Sequence, residues 1–336
     1  MKAFISHISE YFPEKIYSND DFFKEFPHLK KNEATLNKIG VKNRHIVDPD
    51  KTALDLAVEA ARQLFKEHPI RPDEIEFVIF CSLEFDYTLP STAAVFQREL
   101  QLPHSVGAID LVSSCTGFIH ALSVAKGMVE SNGINNVLLL FPSTLTKEFH
   151  PKDYNSKFIF GDGATAVLMG SRNEPGVGEF VFGTDGSRSD YIIIQDGRGR
   201  NPINDDSFKE IRNDYGNITC RANFFMDGTG VFLFGIKTIP LLIDDILKKN
   251  NMNKDDVDYF VFHQANAFLL ETIRKKADIP EEKFIIHLEH TGNTVASTIP
   301  LAMNKLLRDG KLKPGNSVLF AAFGTGLTWG GTIVKF

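Results

Sequence analysis

Short runs of apolar residues alternate with amphipathic stretches along most of this chain of 336 residues. Residues 52–65 place apolar side chains on one helical stripe behind a Thr-x-x-Asp capping signal, which predicts a helix. The apolar runs at residues 76–82, 106–112 and 136–141 are typical of buried strands. This alternation of strands and helices predicts a largely parallel α/β architecture.

The second half of the chain repeats the plan of the first. The sequence F-G-x-G begins at Phe160 and again at Phe323, each time before a run rich in small residues. Two such copies indicate an internal duplication, so we expect two similar halves packed against each other. The Gly-, Asp- and Asn-rich stretch at residues 183–217 is interpreted as a loop or insertion. The other segments that resemble each other are residues 74–82 with 256–263, and residues 136–141 with 316–323.

Composition and charge narrow the class of protein. The content of 43% hydrophobic and 24% charged residues is that of a soluble globular protein. The net charge of -6 and the lack of clustered cations argue against nucleic-acid binding. No apolar run reaches the ~18 residues that span a bilayer, and the first residues show no secretory signal pattern. We therefore expect a cytoplasmic protein with no membrane or nucleic-acid partner.

Of the three cysteines, only Cys115 has the local setting of a nucleophile. It lies in Ser-Ser-Cys-Thr-Gly-Phe, where a predicted strand is followed by a predicted helix. Backbone N–H groups at a helix N-terminus stabilise a thiolate, so we expect the pKa of Cys115 to be lowered. Cys81 in a predicted strand and Cys220 in a polar loop are interpreted as structural. A buried, inert cysteine is the alternative for Cys115 as well.

His263 and Asn293 are further candidates, each with a structural alternative. His263 follows a predicted strand, and the carboxyl ends of parallel strands are where open α/β proteins assemble sites. A histidine satisfied by local backbone groups is the alternative. Asn293 lies in a turn before a predicted helix, where asparagine commonly acts only as a cap.

Patterns for metals and cofactors are weak. His287 and His290 have no third ligand nearby in the sequence. The glycines at 324, 326 and 330 precede a predicted strand, whereas a dinucleotide fingerprint precedes a helix. No metal and no cofactor is therefore predicted.

Taken in order, these segments resemble β-ketoacyl-ACP synthase III-type condensing enzymes of the thiolase superfamily, over essentially the whole chain. The resemblance implies a five-layered αβαβα fold with internally duplicated halves, assembled as a homodimer. Residues 1–172 would form the half carrying the nucleophilic cysteine, and residues 173–336 the half carrying His and Asn. The segments that carry the resemblance are GVKNRHI from residue 40, DLVSSCTGF from 110, FGDGA from 160, HQAN from 263, GNTVAS from 292 and FGTGLTWG from 323.

The resemblance also implies a chemistry. Cys115 would hold the acyl primer as a thioester, and malonyl-ACP would lose carbon dioxide. His263 and Asn293 would donate hydrogen bonds to the oxygen of the resulting enolate. The backbone N–H groups of Cys115 and Thr325 would hold the second oxyanion, where the family usually has glycine in place of Thr325. The acyl donor would be acyl-CoA or an acyl carrier protein, in fatty-acid initiation or a specialised pathway.

Substrate and carrier contacts follow from the same resemblance. The Trp that stacks on adenine in CoA-using members is replaced by Ala34. Leu89 takes the place of a larger gatekeeper of the acyl pocket, which predicts room for a longer acyl chain and a position in the partner's pocket. The residues expected to bind substrate or carrier are Arg44, as the partner of the CoA phosphate region, Leu89, Tyr154, Asn266, Lys275 and Lys276.

Two other functions remain alternatives. A thiolase-fold acyltransferase would move the acyl group from Cys115 to an oxygen or nitrogen, but Asn293, which serves decarboxylation, argues against it. A non-catalytic subunit of a heteromeric synthase would be expected to lose the nucleophile, and the presence of Cys115 argues against that.

Overall fold

The computed structural model describes residues 1–336, apart from the side chain of Asn132. The strands are β1 (Lys2–Tyr11), β2 (Ile16–Ser18), β3 (Asn43–His45), β4 (Phe77–Ser82), β5 (Gly107–Val112), β6 (Val137–Ser143), β7 (Gly163–Arg172), β8 (Val181–Thr184), β9 (Ile192–Ile193), β10 (Ile211–Arg212), β11 (Ile218–Thr219), β12 (Phe225–Met226), β13 (Tyr259–Phe262), β14 (Phe284–Ile285), β15 (Ser317–Gly324) and β16 (Thr328–Lys335). The α-helices are α1 (Asn19–Glu25), α2 (Glu33–Leu36), α3 (Ala53–Glu67), α4 (Thr92–Glu99), α5 (Gly117–Asn132), α6 (Tyr154–Ile159), α7 (Gly228–Lys249), α8 (Ala267–Lys276) and α9 (Thr298–Arg308).

Two five-stranded sheets share one topology. The first has the order β1-β7-β6-β4-β5, and the second, read from its first strand, has the order β8-β16-β15-β13-β14. The second strand in each order, β7 or β16, is antiparallel to both of its neighbours. The remaining pairs in each sheet are parallel. The two F-G-x-G copies lie immediately before β7 and β16, the equivalent strands. The predicted internal duplication is therefore confirmed, while the boundary between residues 172 and 173 stays a prediction.

Helices and sheets alternate in five layers. Helices α5 and α9 pack between the sheets, and their apolar residues share one core with strands of both sheets. Helices α3 and α4 cover the outer face of the first sheet. Helices α7 and α8 cover the outer face of the second. This order is the predicted αβαβα arrangement, and it brings the carboxyl ends of strands from both sheets together.

Local sequence signals explain where the helices begin and end. Thr52 caps α3: its hydroxyl accepts the backbone N–H of Asp55, and the Asp55 carboxylate accepts the backbone N–H of Thr52. Helix α5 ends at Gly133, whose φ of 69° is a left-handed conformation that favours glycine. The stretch at residues 183–217 is mainly irregular and contains only short strands, as expected for an insertion.

Helix α7 is amphipathic rather than membrane-spanning. It extends over 22 residues and buries Ile239, Leu242 and Ile246 against the second sheet. Asp244 and Asp245 occupy its exposed face. Within the part of the chain that the structure describes, no helix has the length and apolar character needed to cross a membrane.

Candidate active site

Cys115 lies in the short connection between β5 and α5, as predicted. Its side chain is 9% exposed and faces the end of β15. A Cβ on Gly324 would come within 2.6 Å of the Cβ of Cys115 and 2.9 Å of its sulfur. Only glycine therefore allows β15 to approach Cys115 so closely.

Burial governs the acidity of the Cys115 thiol. Burial raises the pKa of Cys115, whereas hydrogen bonds from the Ser114 hydroxyl and from the backbone N–H groups of Cys115 and Thr325 act in the opposite direction. The net direction is upward, so the expected lowering of this pKa is wrong. The loss of hydration outweighs the backbone donors near the helix start.

His263 follows β13 directly, and its backbone N–H donates to the carbonyl of Ala321 in β15 at 2.9 Å. Its Nδ1 lies 2.8 Å from the hydroxyl oxygen of Thr298, and its ring meets the edge of Phe323 with centroids 6.0 Å apart. Burial lowers the pKa of His263 to about 3. The imidazole is therefore neutral at physiological pH and is available as a hydrogen-bond donor or acceptor.

Asn293 is held in a turn against the first half of the molecule. Its backbone N–H donates to Ile159 O at 2.9 Å, and its carbonyl accepts the N–H of Gly161 at 3.2 Å. Its side-chain Oδ1 accepts the N–H of Val295 at 2.9 Å, which leaves the amide NH₂ free to donate. Helix α9 begins five residues later with Ser297 at its cap position, so Asn293 is not the cap of that helix.

One cavity joins these side chains. Cys115, His263 and Asn293 all line a cavity of about 350 Å³. Phe268, at 50% exposure, also lines it, so the cavity opens to solvent beside α8. Its walls are mainly apolar and include Ile39, Leu145, Phe160, Ile192, Phe224, Met226, Val231, Phe232 and Phe323.

A second cavity of about 350 Å³ adjoins the first. The two share Leu145, Ile192, Phe224 and Thr325 as lining residues. Glu84 also lines the second cavity. Cys115 therefore lies near two adjoining cavities, the second of which also has Glu148, Asp196 and Arg198 in its lining.

Two regions of the chain match known family models. Residues 109–186 match 3-oxoacyl-[acyl-carrier-protein (ACP)] synthase III, and residues 247–336 match the C-terminal region of the same enzyme. The chain is 32% identical over 335 residues to the β-ketoacyl-[acyl-carrier-protein] synthase III of Coxiella burnetii (strain RSA 493 / Nine Mile phase I), with 99% of each chain covered. The terms 3-oxoacyl and β-ketoacyl denote the same chemical group. The chain belongs to the β-ketoacyl-ACP synthase III family.

Solved structures of β-ketoacyl-ACP synthase III enzymes share the fold of the chain. A crystal structure of a 3-oxoacyl-(acyl-carrier-protein) synthase III matches it with a TM-score of 0.98 at 38% identity, covering 100% of both chains. A 3-oxoacyl-(acyl-carrier protein) synthase from Burkholderia xenovorans LB400 matches with a TM-score of 0.90 at 29% identity, covering 100% of this chain and 94% of that one. The resemblance inferred from the sequence is confirmed.

Two residues expected to contact substrate in this family member lie elsewhere. Arg44 is fully buried, and its guanidinium donates to Asn19 Oδ1 at 2.9 Å and to the carbonyls of Tyr17 and Phe158. Burial lowers the pKa of Arg44 to about 10. The guanidinium is thus directed into the packing of the first half, with its Nε left without a partner, and Arg44 does not line the cavity. Its binding to the CoA phosphate stays a prediction.

Tyr154 is the second such residue. It is buried at the start of α6, and its hydroxyl donates to the carbonyl of Tyr215 at 2.7 Å. Its ring packs against Phe26 and His28, with centroids 6.0 and 5.9 Å away. The ring therefore belongs to a local aromatic cluster, and its contact with the substrate or carrier stays a prediction.

The remaining predicted contact residues are better placed. Asn266 lines the cavity and caps α8, its side chain accepting the N–H of Leu269 at 2.8 Å. Lys275 and Lys276 are exposed at the end of α8. Leu89 is 85% exposed in the single chain. Their roles in binding stay predictions.

Several residues near the site were not predicted. Lys38 is exposed and adjoins Ile39, which lines the cavity. Ser114 contacts the sulfur of Cys115, and Thr298 contacts the ring of His263. Ser114 had a usable signal, because a hydroxyl next to a candidate nucleophile is a potential hydrogen-bond donor; Thr298 had none.

The His287 and His290 pair does not gather metal ligands. Nδ1 of His290 lies 3.1 Å from the amide nitrogen of Asn43. Among the residues described, no group of three or more His, Cys, Asp or Glu is close enough to hold a metal ion.

Proposed function

We propose that the protein is a β-ketoacyl-ACP synthase III, an acyltransferase that condenses a Cys-bound acyl primer with malonyl-ACP and releases carbon dioxide. The observation that carries this proposal is the convergence of Cys115, His263 and Asn293 on one buried cavity. Membership of the family over the full length of the chain supports it.

The first step is acylation of Cys115. The sulfur attacks the carbonyl carbon of an acyl thioester, forming a new carbon–sulfur bond as the bond to the carrier sulfur breaks. The proton of the Cys115 thiol is returned to the departing carrier thiolate, so charge is conserved. The mainly apolar walls suit an alkyl chain and exclude water from the thioester.

The second step is loss of carbon dioxide from malonyl-ACP. The electron pair of the breaking carbon–carbon bond moves onto the thioester oxygen as an enolate. Neutral His263 and the free amide NH₂ of Asn293 are the donors proposed for that oxygen. A neutral imidazole suits this role, because it stabilises the enolate without protonating it outright.

The third step joins the two acyl groups. The enolate carbon attacks the acyl-Cys115 carbonyl, and collapse of the tetrahedral intermediate expels the Cys115 thiolate and leaves a β-ketoacyl-ACP. The backbone N–H groups of Cys115 and Thr325 contact the sulfur region and are proposed to hold the developing oxyanion. A backbone donor is unaffected by the replacement of the usual glycine by Thr325.

The substrates proposed are acyl-CoA or acyl-ACP as donor and malonyl-ACP as extender, with no cofactor. The adjoining cavity beside Leu145 and Ile192 supports a primer longer than acetyl. Lys275 and Lys276, exposed on α8, are proposed to face the acidic carrier. The pathway is proposed to be fatty-acid initiation or a specialised route with the same chemistry, in the cytoplasm.

The functional unit is proposed to be a homodimer in which each chain has two thiolase-like halves. Residues 1–172 and 173–336 are proposed as the two thiolase-like halves, because each range contains one complete five-stranded sheet. Strand β5 is an edge strand, and the exposed Leu89 lies on the same half. Leu89 is proposed to enter the acyl pocket of the partner.

The test is a reconstituted reaction with purified protein. Malonyl-ACP and acyl donors of increasing chain length are supplied, and carbon dioxide, β-ketoacyl-ACP and the intact mass of the protein are followed. We expect an acyl adduct that is absent from Cys115→Ala, followed by a condensed product. An adduct without carbon–carbon bond formation, with transfer to an oxygen or nitrogen acceptor, would favour the acyltransferase alternative. No adduct with any donor would favour the non-catalytic subunit.

A further inference from the structure

Two hydroxyl groups beside Cys115 are joined in a line that ends at its sulfur. The Ser114 hydroxyl oxygen lies 3.5 Å from the Cys115 sulfur. The Thr325 hydroxyl donates to the Ser114 oxygen at 3.2 Å. Because the Thr325 proton is given to Ser114, the proton of Ser114 is free to point at the sulfur.

The outer member of this line is itself held in place. The hydroxyl of Thr328 donates to the carbonyl of Thr325 at 2.9 Å, and the hydroxyls of Thr116 and Thr328 lie 2.9 Å apart. Thr116 belongs to the first half of the chain, whereas Thr325 and Thr328 belong to the second. The contact between Thr116 and Thr328 therefore holds the backbone of Thr325 in place against the first half.

Besides the Ser114 hydroxyl, the donors at the sulfur are the backbone N–H groups of Cys115 and Thr325. No Lys or Arg occurs among the described residues that line its cavity. The titratable groups around it are Glu84, in the loop after β4, whose charge acts on the thiol, and His263 after β13, which lines the same cavity. A charged Glu84 would disfavour the thiolate, and His263 is neutral. Neutral donors must therefore supply the stabilisation.

We propose that Ser114 and Thr325 are positioning residues that keep a donated hydrogen bond on the sulfur of Cys115, so that the nucleophile ionises without a cation or a charged histidine. The inference rests on the proposed function in taking Cys115 as the nucleophile. Neither hydroxyl is proposed to form or break a covalent bond in the reaction. Their effect is expected in the ionisation of the thiol rather than in the decarboxylation of malonyl-ACP.

The test is the pH dependence of Cys115 alkylation by iodoacetamide, read as intact mass between pH 6 and 10. The variants are Ser114→Ala, Thr325→Val and the matched control Thr325→Ser, with Cys115→Ala giving the background of the other cysteines. We expect the pKa read from the rates to rise by about one unit in Ser114→Ala and Thr325→Val, which slows alkylation about tenfold below the midpoint. Thr325→Ser is expected to match the wild type.

An unchanged midpoint in Ser114→Ala and Thr325→Val would overturn the inference. Circular dichroism checks that each variant is folded, and if Ser114→Ala fails to fold, the difference between Thr325→Val and Thr325→Ser decides. Alkylation requires no acyl substrate, so the result stands whether or not the protein condenses thioesters. Shifted midpoints without any condensation would refute the proposed function alone.

Discussion

At the scale of single residues, the hydroxyl of Thr298 is the hydrogen-bond partner of Nδ1 of His263. Its oxygen lies 2.8 Å from Nδ1, and its proton is donated to the carbonyl oxygen of Val295 at 2.9 Å. That carbonyl also accepts the backbone N–H of Thr298, so it keeps a donor when the hydroxyl proton turns to Nδ1. Donation from Nε2 of His263 to an enolate oxygen, as proposed, requires the tautomer in which Nδ1 accepts the Thr298 proton.

Replacing Thr298 should therefore impair decarboxylation selectively. In Thr298→Val the shape is kept but the donor is lost, so Nδ1 takes the proton and Nε2 no longer donates. We expect malonyl-ACP decarboxylation to fall about 10²-fold, the typical effect of losing one such donor. Cys115 acylation, followed by intact mass, should remain within a few-fold of wild type. Thr298→Ser should retain decarboxylation, and equal rates in the Val and Ser variants would contradict this role.

Glu84 is a second residue whose ionisation depends on its surroundings. The Ser82 hydroxyl donates to the Glu84 carboxylate at 2.7 Å, accepts the Glu84 N–H at 3.2 Å and lies 3.0 Å from Pro142 O. The hydrogen bond from Ser82 lowers the pKa of Glu84. Burial is the larger effect and raises this pKa to about 7.

This raised pKa makes stability depend on pH. In the unfolded chain a glutamic acid has a pKa of about 4.3, so the folded protein, in which this pKa is higher, binds more protons. The free energy of unfolding therefore declines as pH rises from about 4.5 to about 7 and then levels off. We expect the midpoint temperature of thermal unfolding to fall less in Glu84→Gln than in the wild type when the pH is raised from 5 to 8. The exposed Glu281→Gln is the control and should follow the wild-type slope. Parallel slopes for wild type and Glu84→Gln would contradict the assignment.

The sequence pointed to the candidate residues of the site but not to their partners. Cys115 could be singled out because its neighbours in the chain form the strand–helix junction in which it lies. Arg44 and Tyr154 are buried away from the cavity lining, which the sequence could not show, because a resembling segment does not reveal which way its side chains point. Thr298 and Glu84 depend on contacts across the tertiary structure, which no local pattern contains.

At the scale of elements, the end of β15 lies so close to the start of α5 that a residue with a Cβ would clash there. Gly324 closes β15 next to Cys115, and Gly127 lies in α5 with no atom near its missing Cβ. We expect Gly324→Ala to displace Cys115, because the new methyl would lie 2.6 Å from its Cβ. Cys115 acylation, measured by intact mass, should fall at least tenfold.

Gly127→Ala is the matched control for that substitution. Alanine in an unobstructed helical position should raise the free energy of unfolding by roughly 0.5–1 kcal/mol. Acylation should be unchanged, because Gly127 is remote from the cavity lining. Full acylation of Gly324→Ala would show that the junction relaxes and that the close approach is not required.

The elements themselves were largely predictable, whereas their meeting points were not. The Thr52 capping box and the Gly133 stop are local signals, and α3 and α5 begin and end within about two residues of them. The strands β4, β6 and β15 are continuous apolar runs because both faces of their sheets are covered by helices. The close contact of Gly324 with Cys115 joins segments far apart in the chain, so it appears only in the folded molecule.

At the scale of the whole molecule, the duplicated halves place the active site between them. Cys115 comes from the first half, and His263 and Asn293 come from the second. The backbone contacts of Asn293 with Ile159 and Gly161 fix the halves against each other at the cavity. That the two halves would be similar could be expected from the repeated F-G-x-G segments, whereas their strand order could not. The side chains that each half contributes could be assigned to a common site only through the family resemblance.

The edge of the first sheet supports the last prediction, that two copies associate through β5. This strand is an apolar edge, Val112 at its end is 71% exposed, and an uncovered edge of this kind promotes strand pairing. We expect the wild type to sediment as two copies of the 37.6 kDa chain. Val112→Lys should yield monomer, because a two-fold contact brings the added charges together, whereas Leu241→Lys on the exposed face of α7 should remain dimeric. If Leu89 enters the partner's pocket, the monomeric variant should also lose condensation. A fully active wild-type monomer would exclude both parts of this arrangement.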